Sequence, residues 1–506
     1  MPGAGGGFGF DHGRRVRSRS ARAAVRVGVS RRTVLTLGAG AAGLVALSGA
    51  SAGAFSLEHF GTGSASGLVV TDLEVVTLTD TSVTFGWACY NGPHPPVGGL
   101  RPTVPSDSEV LLGPADGTAP MKVVHHDPTP RGMHLVTITG LEPNRSYRFE
   151  CRSRGIAARP GLVATNQAWS PERLGRFRTL STPPGDYIRT IALVNDTHIG
   201  EGEHGILFAG MPEPIIQEPG ADPFPEIMLR GALAEARAHG VSRVLVNGDT
   251  TSEARPDEVR RFREIMDTYG THGVDYHVTR GNHDRPHTPS SDLAAGYEAF
   301  PVLEGTADHR DVWGAEFIPR QQMWTTSIGG LRVLGIDSAM LDASGGEILP
   351  HQMSDIAAEL AADPDRPTLA MAHHPVTREA AWTNVSGPIF VLNEHDANIL
   401  QGHFTRAPGV FMMWAGHTHR ARRTSPDAAQ HVDFVETASN GGYPGGYTLL
   451  HLYTGGYMMN FHRIGTEEAL RWSARSRWAG LGINPDYTLG LTDHRNYVVH
   501  RDLSGI

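Results

Sequence analysis

Two different hydrophobic patterns divide the chain. From about residue 68 to residue 180, apolar and polar residues alternate in short runs such as "TSVTFGWACY", "HLVTITG" and "YRFECRS", and turn residues separate these runs. Successive side chains of a strand point to opposite faces, so this alternation predicts half-buried strands that pack as a β-sandwich. We therefore expect an all-β module over residues 67–180.

Beyond residue 187, short apolar runs alternate with longer amphipathic stretches. Runs such as "RVLVNG" and "VFMMWAG" are separated by helix-type segments such as "PEIMLRGALAEARAHG". This alternation predicts an α/β domain in which buried strands lie beneath helices. We place the domain at residues 188–464, after a Pro/Gly linker at 181–187 and before a C-terminal helix and tail at 465–506.

The N-terminus has the pattern of an export signal. A basic leader precedes an apolar run from about residue 34 to residue 47, and small residues follow, with Ala50-Ser51-Ala52 or Ala52-Gly53-Ala54 as the cleavage site. The run is shorter than the roughly 20 residues that a bilayer span needs. The sequence from Ser30 to Leu35, with Arg31 and Arg32, resembles the twin-arginine export motif. We predict that residues 1–54 are a signal peptide and leader and that the protein is secreted or extracytoplasmic; an uncleaved anchor is the alternative.

The charge of the mature chain argues against nucleic acid as a partner. Residues 1–52 contain eight Arg and one Asp, so their removal changes the formal net charge from -9 to -16. An acidic surface is a poor match for a phosphate backbone. Small phosphorylated or neutral substrates are easier to accommodate. The rest of the chain contains no second apolar span.

The two cysteines of the chain both fall in the predicted sandwich. By alternation, Cys89 shares the strand face of Trp87, and Cys151 shares the face of Tyr147, so both side chains are expected to point inward. An exported protein favours a disulfide between them, with two buried free thiols as the alternative.

This module also resembles a fibronectin type III domain. The matching residues are Trp87 and the Leu141-x-Pro143-x-x-x-Tyr147 pattern, in which the tyrosine hydroxyl bonds back to the chain.

Residues that can bind metal follow five of the apolar runs. In chain order they are Asp196-x-His198, Gly248-Asp249, Gly281-Asn282-His283-Asp284, His373-His374-Pro375 and Gly416-His417-x-His419. The carboxyl ends of strands are where α/β folds place their sites. Each motif alone is weak, because a lone Asp-x-His is usually a solvated pair and Gly-Asp is usually a turn. The five together, each at the end of a strand, predict a metal site.

In these five motifs the sequence resembles the calcineurin-like metallophosphoesterases, whose signature is D-x-H, G-D, G-N-H-[DE], H and G-H-x-H. The resemblance covers roughly residues 188–464 and implies a four-layer α/β/β/α sandwich. It also implies an enzyme that hydrolyses a phosphodiester or phosphomonoester by attack of a metal-bridging hydroxide, and the predicted signal peptide makes this an exported enzyme.

The resemblance further implies a role for each motif residue. One metal would be bound by Asp196, His198 and His419, and the other by Asn282, His373 and His417, with Asp249 between them. His283 would face the substrate phosphate as the catalytic residue, and Asp284 would orient its ring. His374, next to His373, is the alternative ligand. Carboxylate, carboxamide and imidazole ligands without cysteine suit two ions of Fe, Mn or Zn.

A sandwich ahead of such a domain resembles the architecture of purple acid phosphatases, but two motifs differ. Those enzymes have D-x-G where this chain has His198, and G-D-x-x-Y where this chain has Ser252. With G-N-H-D and H-H-P, the chain resembles more closely the cyclic-nucleotide phosphodiesterase and general phosphohydrolase branches of the superfamily, and this resemblance slightly favours a phosphodiesterase over a phosphatase.

Six further polar or aromatic residues near the motifs are candidates for contacting the substrate: His204, Arg285, His287, Trp382, Asn384 and Arg420. A different class of function is also open. The protein would then be a cell-surface binding protein that uses its β-sandwich, with a vestigial metal domain, although the complete set of motif residues argues against that reading.

Overall fold

The structure is a computed structural model that describes residues 67–92, 102–205, 214–289, 296–479 and 484–506. The predicted signal peptide at 1–54 lies outside these residues. Among the described helices, none combines the length and the apolar character needed to cross a bilayer.

The N-terminal module is all β, as predicted. Its strands are β1 (Leu68–Leu78), β2 (Ser82–Asn91), β3 (Ser106–Pro114), β4 (Lys122–Arg131), β5 (Met133–Thr139), β6 (Ser146–Ser153), β7 (Ile156–Ala157) and β8 (Arg176–Arg178). One sheet has the order β1-β2-β5, and the other has the order β4-β3-β6-β7 with β8 paired to β6. The two sheets share one apolar core, in which Trp87 is buried and donates its indole N–H to Ser153 Oγ at 3.0 Å. The backbone N–H of Glu142 donates to the Tyr147 hydroxyl at 3.0 Å.

The two cysteines do point into this core, but they are free thiols, so the favoured disulfide is absent. Cys89 lies on β2 and Cys151 lies on β6, in different sheets. The Cys89 sulfur faces the neighbouring strand instead, 3.8 Å from His134 Nε2. Both residues therefore pack as small apolar side chains.

The second domain is built on two six-stranded sheets, as the α/β pattern predicts. Its strands are β9 (Tyr187–Val194), β10 (Glu203–His204), β11 (Ile215–Ile216), β12 (Val244–Asn247), β13 (Tyr276–Thr279), β14 (Trp324–Ile328), β15 (Leu331–Ile336), β16 (Thr368–Ala372), β17 (Val410–Ala415), β18 (Arg422–Thr424), β19 (Asp433–Glu436), β20 (Gly446–Tyr453), β21 (Gly456–Arg463) and β22 (Asn496–His500). The first sheet has the order β13-β12-β9-β20-β21-β22, the second has the order β14-β15-β16-β17-β19-β18, and β10 pairs with β11 apart from both.

The described residues form ten helices, the first of which lies against the N-terminal module. The helices are α1 (Pro171–Leu174), α2 (Phe224–Ala238), α3 (Pro256–Asp267), α4 (Val312–Glu316), α5 (Pro350–Ala362), α6 (Arg378–Thr383), α7 (Glu394–Thr405), α8 (Glu467–Ser476), α9 (Asn484–Leu489) and α10 (Thr492–Arg495). Short 3-10 turns occur at Ala164–Asn166, Asn282–Asp284, Tyr297–Ala299 and Pro388–Phe390.

Three apolar clusters separate four layers. Helices α2 and α3 pack on the first sheet, and helices α5 and α7 pack on the second. Between the sheets lies a third cluster that includes Leu193, Leu245 and Trp414. This is the α/β/β/α arrangement, so the predicted fold class is confirmed.

The C-terminal region departs from the prediction of a helix and a simple tail. Helix α8 is present, but β22 then pairs antiparallel with β21 and extends the first sheet. The predicted boundary after residue 464 therefore does not separate the tail from the first sheet.

A buried ionic cluster joins the sandwich to the second domain. Glu74 of β1 accepts from the guanidinium groups of Arg463 and Arg477, each at 2.7 Å, and from the Tyr443 hydroxyl at 2.6 Å. Burial raises the pKa of Glu74, but the two arginines outweigh burial and hold it below its ordinary value. The carboxylate stays ionised and ties the two domains together.

Candidate metal centre

The predicted motif residues lie in loops that follow parallel strands. Strands β9, β12 and β13 run parallel in the first sheet, and β15, β16, β17 and β19 run parallel in the second. The Asn247 amide at the end of β12 donates to Ala372 O at 3.1 Å and to Trp414 O at 2.9 Å. One side chain therefore fixes the end of a strand in one sheet against the ends of two strands in the other.

The loops bring two groups of ligand-type atoms together. One group contains Asp196, His198, Asp249 and His419, and the other contains Asp249, His373 and His417; within each group the ligand atoms all lie within 4.8 Å of one another. Asp249 belongs to both groups. These are Asp and His residues positioned for binding metal at two adjacent points.

The closest approaches in the first group involve both histidines. His419 Nε2 lies 3.4 Å from Asp196 Oδ1 and 3.2 Å from His198 Nε2. His198 Nε2 lies 3.9 Å from Asp249 Oδ2. Two imidazole nitrogens and two carboxylates thus converge on one point, which is a donor set for a divalent cation.

Unpartnered buried atoms test the fit for a metal. In the second group, His373 Nε2 and His417 Nε2 have no hydrogen-bond partner among the described residues, and neither has Asn282 Oδ1 of the G-N-H-D motif. Buried polar atoms are nearly always paired, so these unpartnered atoms fit a role in binding a metal ion. His373 donates Nδ1–H to Asn247 O at 2.8 Å, which leaves Nε2 free to face Asp249. The residues present fit a metal ion bound by nitrogen and oxygen.

The same arrangement identifies which histidine of the His373-His374 pair faces the group. His373 Nε2 lies 3.1 Å from Asp249 Oδ2. His374 turns away, with Nδ1 2.8 Å from Ser338 Oγ and Nε2 3.2 Å from Ser344 O.

Burial keeps two of the histidines neutral. Burial lowers the pKa of His198 to about 3, and burial together with His374 and His373 holds the pKa of His417 well below its ordinary value. Burial also lowers the pKa of His373, but the carboxylates of Asp249 and Asp196 outweigh it and raise that pKa to about 9. Neutral imidazole is the form that binds metal, and a cation at Asp249 would take the place of the proton that this carboxylate attracts.

The backbone of the site is strained. Asp196, His198, Asp249, His417 and His419 have positive φ angles of 53°, 49°, 46°, 67° and 56°. They are five of the eleven non-glycine residues with positive φ in the described part of the chain. A left-handed conformation costs about 1–3 kcal/mol per non-glycine residue and is typical of functional sites.

Two motif glycines allow the loops to approach closely. Gly248 has a φ of +75°, and a Cβ there would collide with the His373 ring. A Cβ at Gly281 would collide with the backbone nitrogen of Asp249. The glycines of G-D and G-N-H-D are therefore both needed for space, and Gly248 is needed for its left-handed conformation as well.

The family model of the calcineurin-like phosphoesterases matches residues 189–421. This part of the chain is a calcineurin-like phosphoesterase domain.

Solved structures of several phosphoesterases also resemble the chain, and no curated protein matches it. A dimetal phosphatase from Danio rerio is 16% identical, with a TM-score of 0.40 over 55% of this chain and 98% of its own. A purple acid phosphatase from yellow lupin (Lupinus luteus) seeds is 14% identical, with a TM-score of 0.39 over 86% and 75%. A PhoD structure is 11% identical, with a TM-score of 0.34 over 79% and 87%.

Next to the first ligand group, the His283 ring is held by a backbone carbonyl. His283 is half-buried and donates Nδ1–H to Ser252 O at 2.6 Å, while its backbone N–H donates to Asp249 Oδ1 at 2.8 Å. Its ring lies edge-on to that of His198, with centroids 4.9 Å apart.

Asp284 does not orient this ring, which corrects the expectation. Its buried carboxylate accepts from the backbone N–H groups of Thr250, Thr251 and Gly281 at 3.0, 2.9 and 3.0 Å, and from both threonine hydroxyls. Burial and the nearby Asp249 raise its pKa. Asp284 therefore holds the loop after β12 to the loop after β13, and its effect on His283 is indirect.

Most of the other candidate residues are structural. His204 is buried between Phe224 and Trp472, and His287 is buried. The Asn384 amide donates within its own turn, to Ala380 O at 2.8 Å and Gly387 O at 3.1 Å. Arg285 donates to Asn282 O. Trp382 is the one of the six whose side chain is open to solvent over most of its surface.

Arg420 belongs to a buried network that supports the G-H-x-H loop. Its guanidinium contacts both carboxylate oxygens of Glu436 at 2.8 Å, and Glu436 also accepts from Thr418 Oγ1 at 2.6 Å. Glu436 was not among the predicted residues, because no motif marks it. Its only sign in the sequence is its position at the end of a short apolar run.

Proposed function

We propose that the protein is an exported phosphoesterase with two metal ions, which hydrolyses a phosphodiester in preference to a phosphomonoester. The observation that carries the proposal is the position of Asp249 in both ligand groups. A carboxylate with two oxygens can contact two cations at once, and paired cations are typical of enzymes that cleave phosphate esters.

The proposed ligand assignment follows the two groups and adds Asn282 from the G-N-H-D motif. Asp196, His198 and His419 would hold one ion, Asn282, His373 and His417 would hold the other, and Asp249 would be shared by both. The nitrogen and oxygen donors favour Fe, Mn or Zn over calcium. Two ions bound here supply Lewis acidity toward the phosphoryl oxygens and allow water to act as a nucleophile near neutral pH.

His283 supplies the proton in this proposal. Its Nδ1–H is held by Ser252 O, so Nε2 is the ring nitrogen that could act on the substrate. Nε2–H would donate to the leaving-group oxygen or to a phosphoryl oxygen, which would contribute about two to four orders of magnitude in rate. Asp284 positions the loop that carries His283.

Export and the extracytoplasmic location rest on residues 1–54, with Arg31 and Arg32 in a twin-arginine pattern. We expect replacement of both arginines by lysine to leave the protein in the cytoplasm. Normal export of that variant would contradict this part of the proposal.

The decisive experiment is turnover of bis(p-nitrophenyl) phosphate and p-nitrophenyl phosphate by the purified protein after loading with Mn, Fe or Zn. We expect two metal ions per chain and faster turnover of the diester. Faster turnover of the monoester would make the protein a phosphatase, and no bound metal with no turnover would favour the binding-protein alternative.

A further inference from the structure

An apolar segment follows the His373 motif directly. Helix α6 and the 3-10 turn Pro388–Phe390 lie in it, and the side chains of Trp382, Val385 and Ile389 are 65%, 44% and 62% exposed. Three large apolar side chains open to solvent within eight residues form a patch of the kind that marks binding sites. We call Trp382, Val385, Ile389 and Phe390 the apolar wall.

The apolar wall borders the metal centre at two points. The Phe390 ring stacks on the His417 ring, with centroids 3.8 Å apart and planes inclined by 27°. Next to Trp382, the Thr383 carbonyl accepts from Arg420 at 2.7 Å, and Arg420 directly follows His419. The wall is thus attached to the loop that carries both histidines of G-H-x-H.

The backbone beneath the wall is held in place. The Thr377 hydroxyl accepts from Ala380 N at 3.1 Å and caps α6, and Leu392 N donates to Pro375 O at 3.1 Å. Asn384 closes the turn between Trp382 and Ile389 with its own side chain. Because this backbone is already ordered, a ligand that binds to the exposed side chains loses little affinity to the ordering of the segment.

The composition of the segment restricts what can bind there. Residues 380–393 contain no Asp, Glu, Lys, Arg or His, so the wall offers no partner to a charged group. The indole of Trp382 offers a flat apolar face, on which a planar ring can stack. The phosphate, by contrast, needs the polar metal centre next to it.

We propose that the apolar wall binds an aromatic or heterocyclic ring of the substrate, with Trp382 as the main specificity residue. This inference rests on the proposed function, because the ring is placed by a phosphoryl group bound at the metal centre. It restricts the substrate to phosphoesters in which a planar ring lies a short link away from phosphorus.

The test compares two phosphonates that the enzyme cannot hydrolyse, benzylphosphonate and methylphosphonate, which share the anionic head and differ in the ring. Isothermal titration of the metal-loaded protein gives a Kd for each. We expect benzylphosphonate to bind about tenfold more tightly, as one stacked ring allows.

Variants assign the preference to the wall. We expect Trp382→Ala to weaken benzylphosphonate binding to nearly the level of methylphosphonate while the Kd of methylphosphonate stays the same, and Trp382→Phe to retain most of the preference. The matched control is Trp169→Ala. Trp169 is similarly exposed, at 66%, but it lies beside residues of the β-sandwich and not beside the metal centre. This control is expected to change neither Kd.

Two failures are distinguishable. Equal binding of both phosphonates, or a preference that Trp382→Ala leaves intact, overturns the role of the wall and leaves the metal centre as proposed. Binding of neither phosphonate by protein that contains two metal ions contradicts the proposed function, and the wall proposal falls with it.

Discussion

His373 and Asp249 face each other from the two sheets, with Nε2 of the imidazole 3.1 Å from Oδ2 of the carboxylate. The same carboxylate lies 3.9 Å from His198 Nε2, so it is shared by both ligand groups. We expect Asp249→Asn to lower the affinity for both metal ions at least about a hundredfold and to abolish turnover. Metal content after dialysis, measured by mass spectrometry, checks this. The exposed Asp116→Asn serves as control, and an active Asp249→Asn protein would refute the shared ligand.

Replacement of His283 is expected to impair catalysis without affecting metal binding. Its ring contacts Ser252 O and is not among the grouped ligand atoms. His283→Ala should therefore keep both metals and lower kcat by about two to four orders of magnitude. The exposed His395→Ala should match the wild type. Loss of metal from His283→Ala would show that this ring is a ligand.

Asp284 is expected to act on stability first. Its carboxylate accepts three buried backbone N–H groups, and their loss of a partner costs about 1–3 kcal/mol each. Asp284→Ala should lower the free energy of unfolding by several kcal/mol, as urea titration would show, while Asp355→Ala on the exposed face of α5 should not. A catalytically dead but fully stable Asp284→Ala protein would contradict the positioning role.

Glu172 gives the stability a dependence on pH. Burial raises its pKa from an ordinary 4.5 to about 7, against the opposing effects of Arg495 and the Val75 N–H bond, with Glu74 adding to the rise. Between these pH values the unfolded chain releases the proton and the folded chain keeps it, so stability falls as the pH rises from about 4.5 to above 7. The loss amounts to about 3 kcal/mol.

The variant Glu172→Gln isolates this effect, because its amide oxygen can still accept from Val75 N, which lies 2.8 Å from the glutamate. We expect the variant to be more stable than the wild type at pH 8 and similar at pH 4.5, in urea unfolding at each pH. The exposed Glu468→Gln is the control. A constant difference between variant and wild type at all pH values would mean that Glu172 titrates normally.

Glu74 should be among the most sensitive residues outside the metal centre. Its removal leaves Arg463 and Arg477 buried without their anion, which costs about 3–5 kcal/mol. Glu74→Ala should therefore unfold at much lower urea concentration. Glu142→Ala, which breaks an exposed pair with Arg145, should unfold at the wild-type concentration.

The sequence predicted the fold class because its signals are local. The apolar runs before Asp249 and His373 are completely buried strands, and the run before Asp196 is a strand whose last four residues are buried; the ligand-type residues follow these strands in loops. The alternation around Trp87 likewise predicted the sandwich. In each case the strand and the residue at its end are neighbours in the chain.

The features that the sequence did not predict depend on contacts between residues that lie far apart in the chain. Asp284 bonds to Thr250 and Thr251, which precede it by more than thirty residues, so its motif gave no sign of its actual partners. The strand β22 contains ordinary residues and is recognisable only when β21 offers it an edge. The Cys89 thiol faces His134 because of strand pairing, which alternation alone does not determine.

The five left-handed residues of the metal centre have a consequence for laboratory evolution. Glycine adopts positive φ without the steric cost that Asp and His bear, so Gly at 196, 198, 249, 417 or 419 relieves strain while it removes a ligand. A library of this protein selected for heat resistance alone should therefore accumulate glycine at these positions. The most heat-resistant variants selected in this way would have lost the ability to bind metal and to turn over substrate.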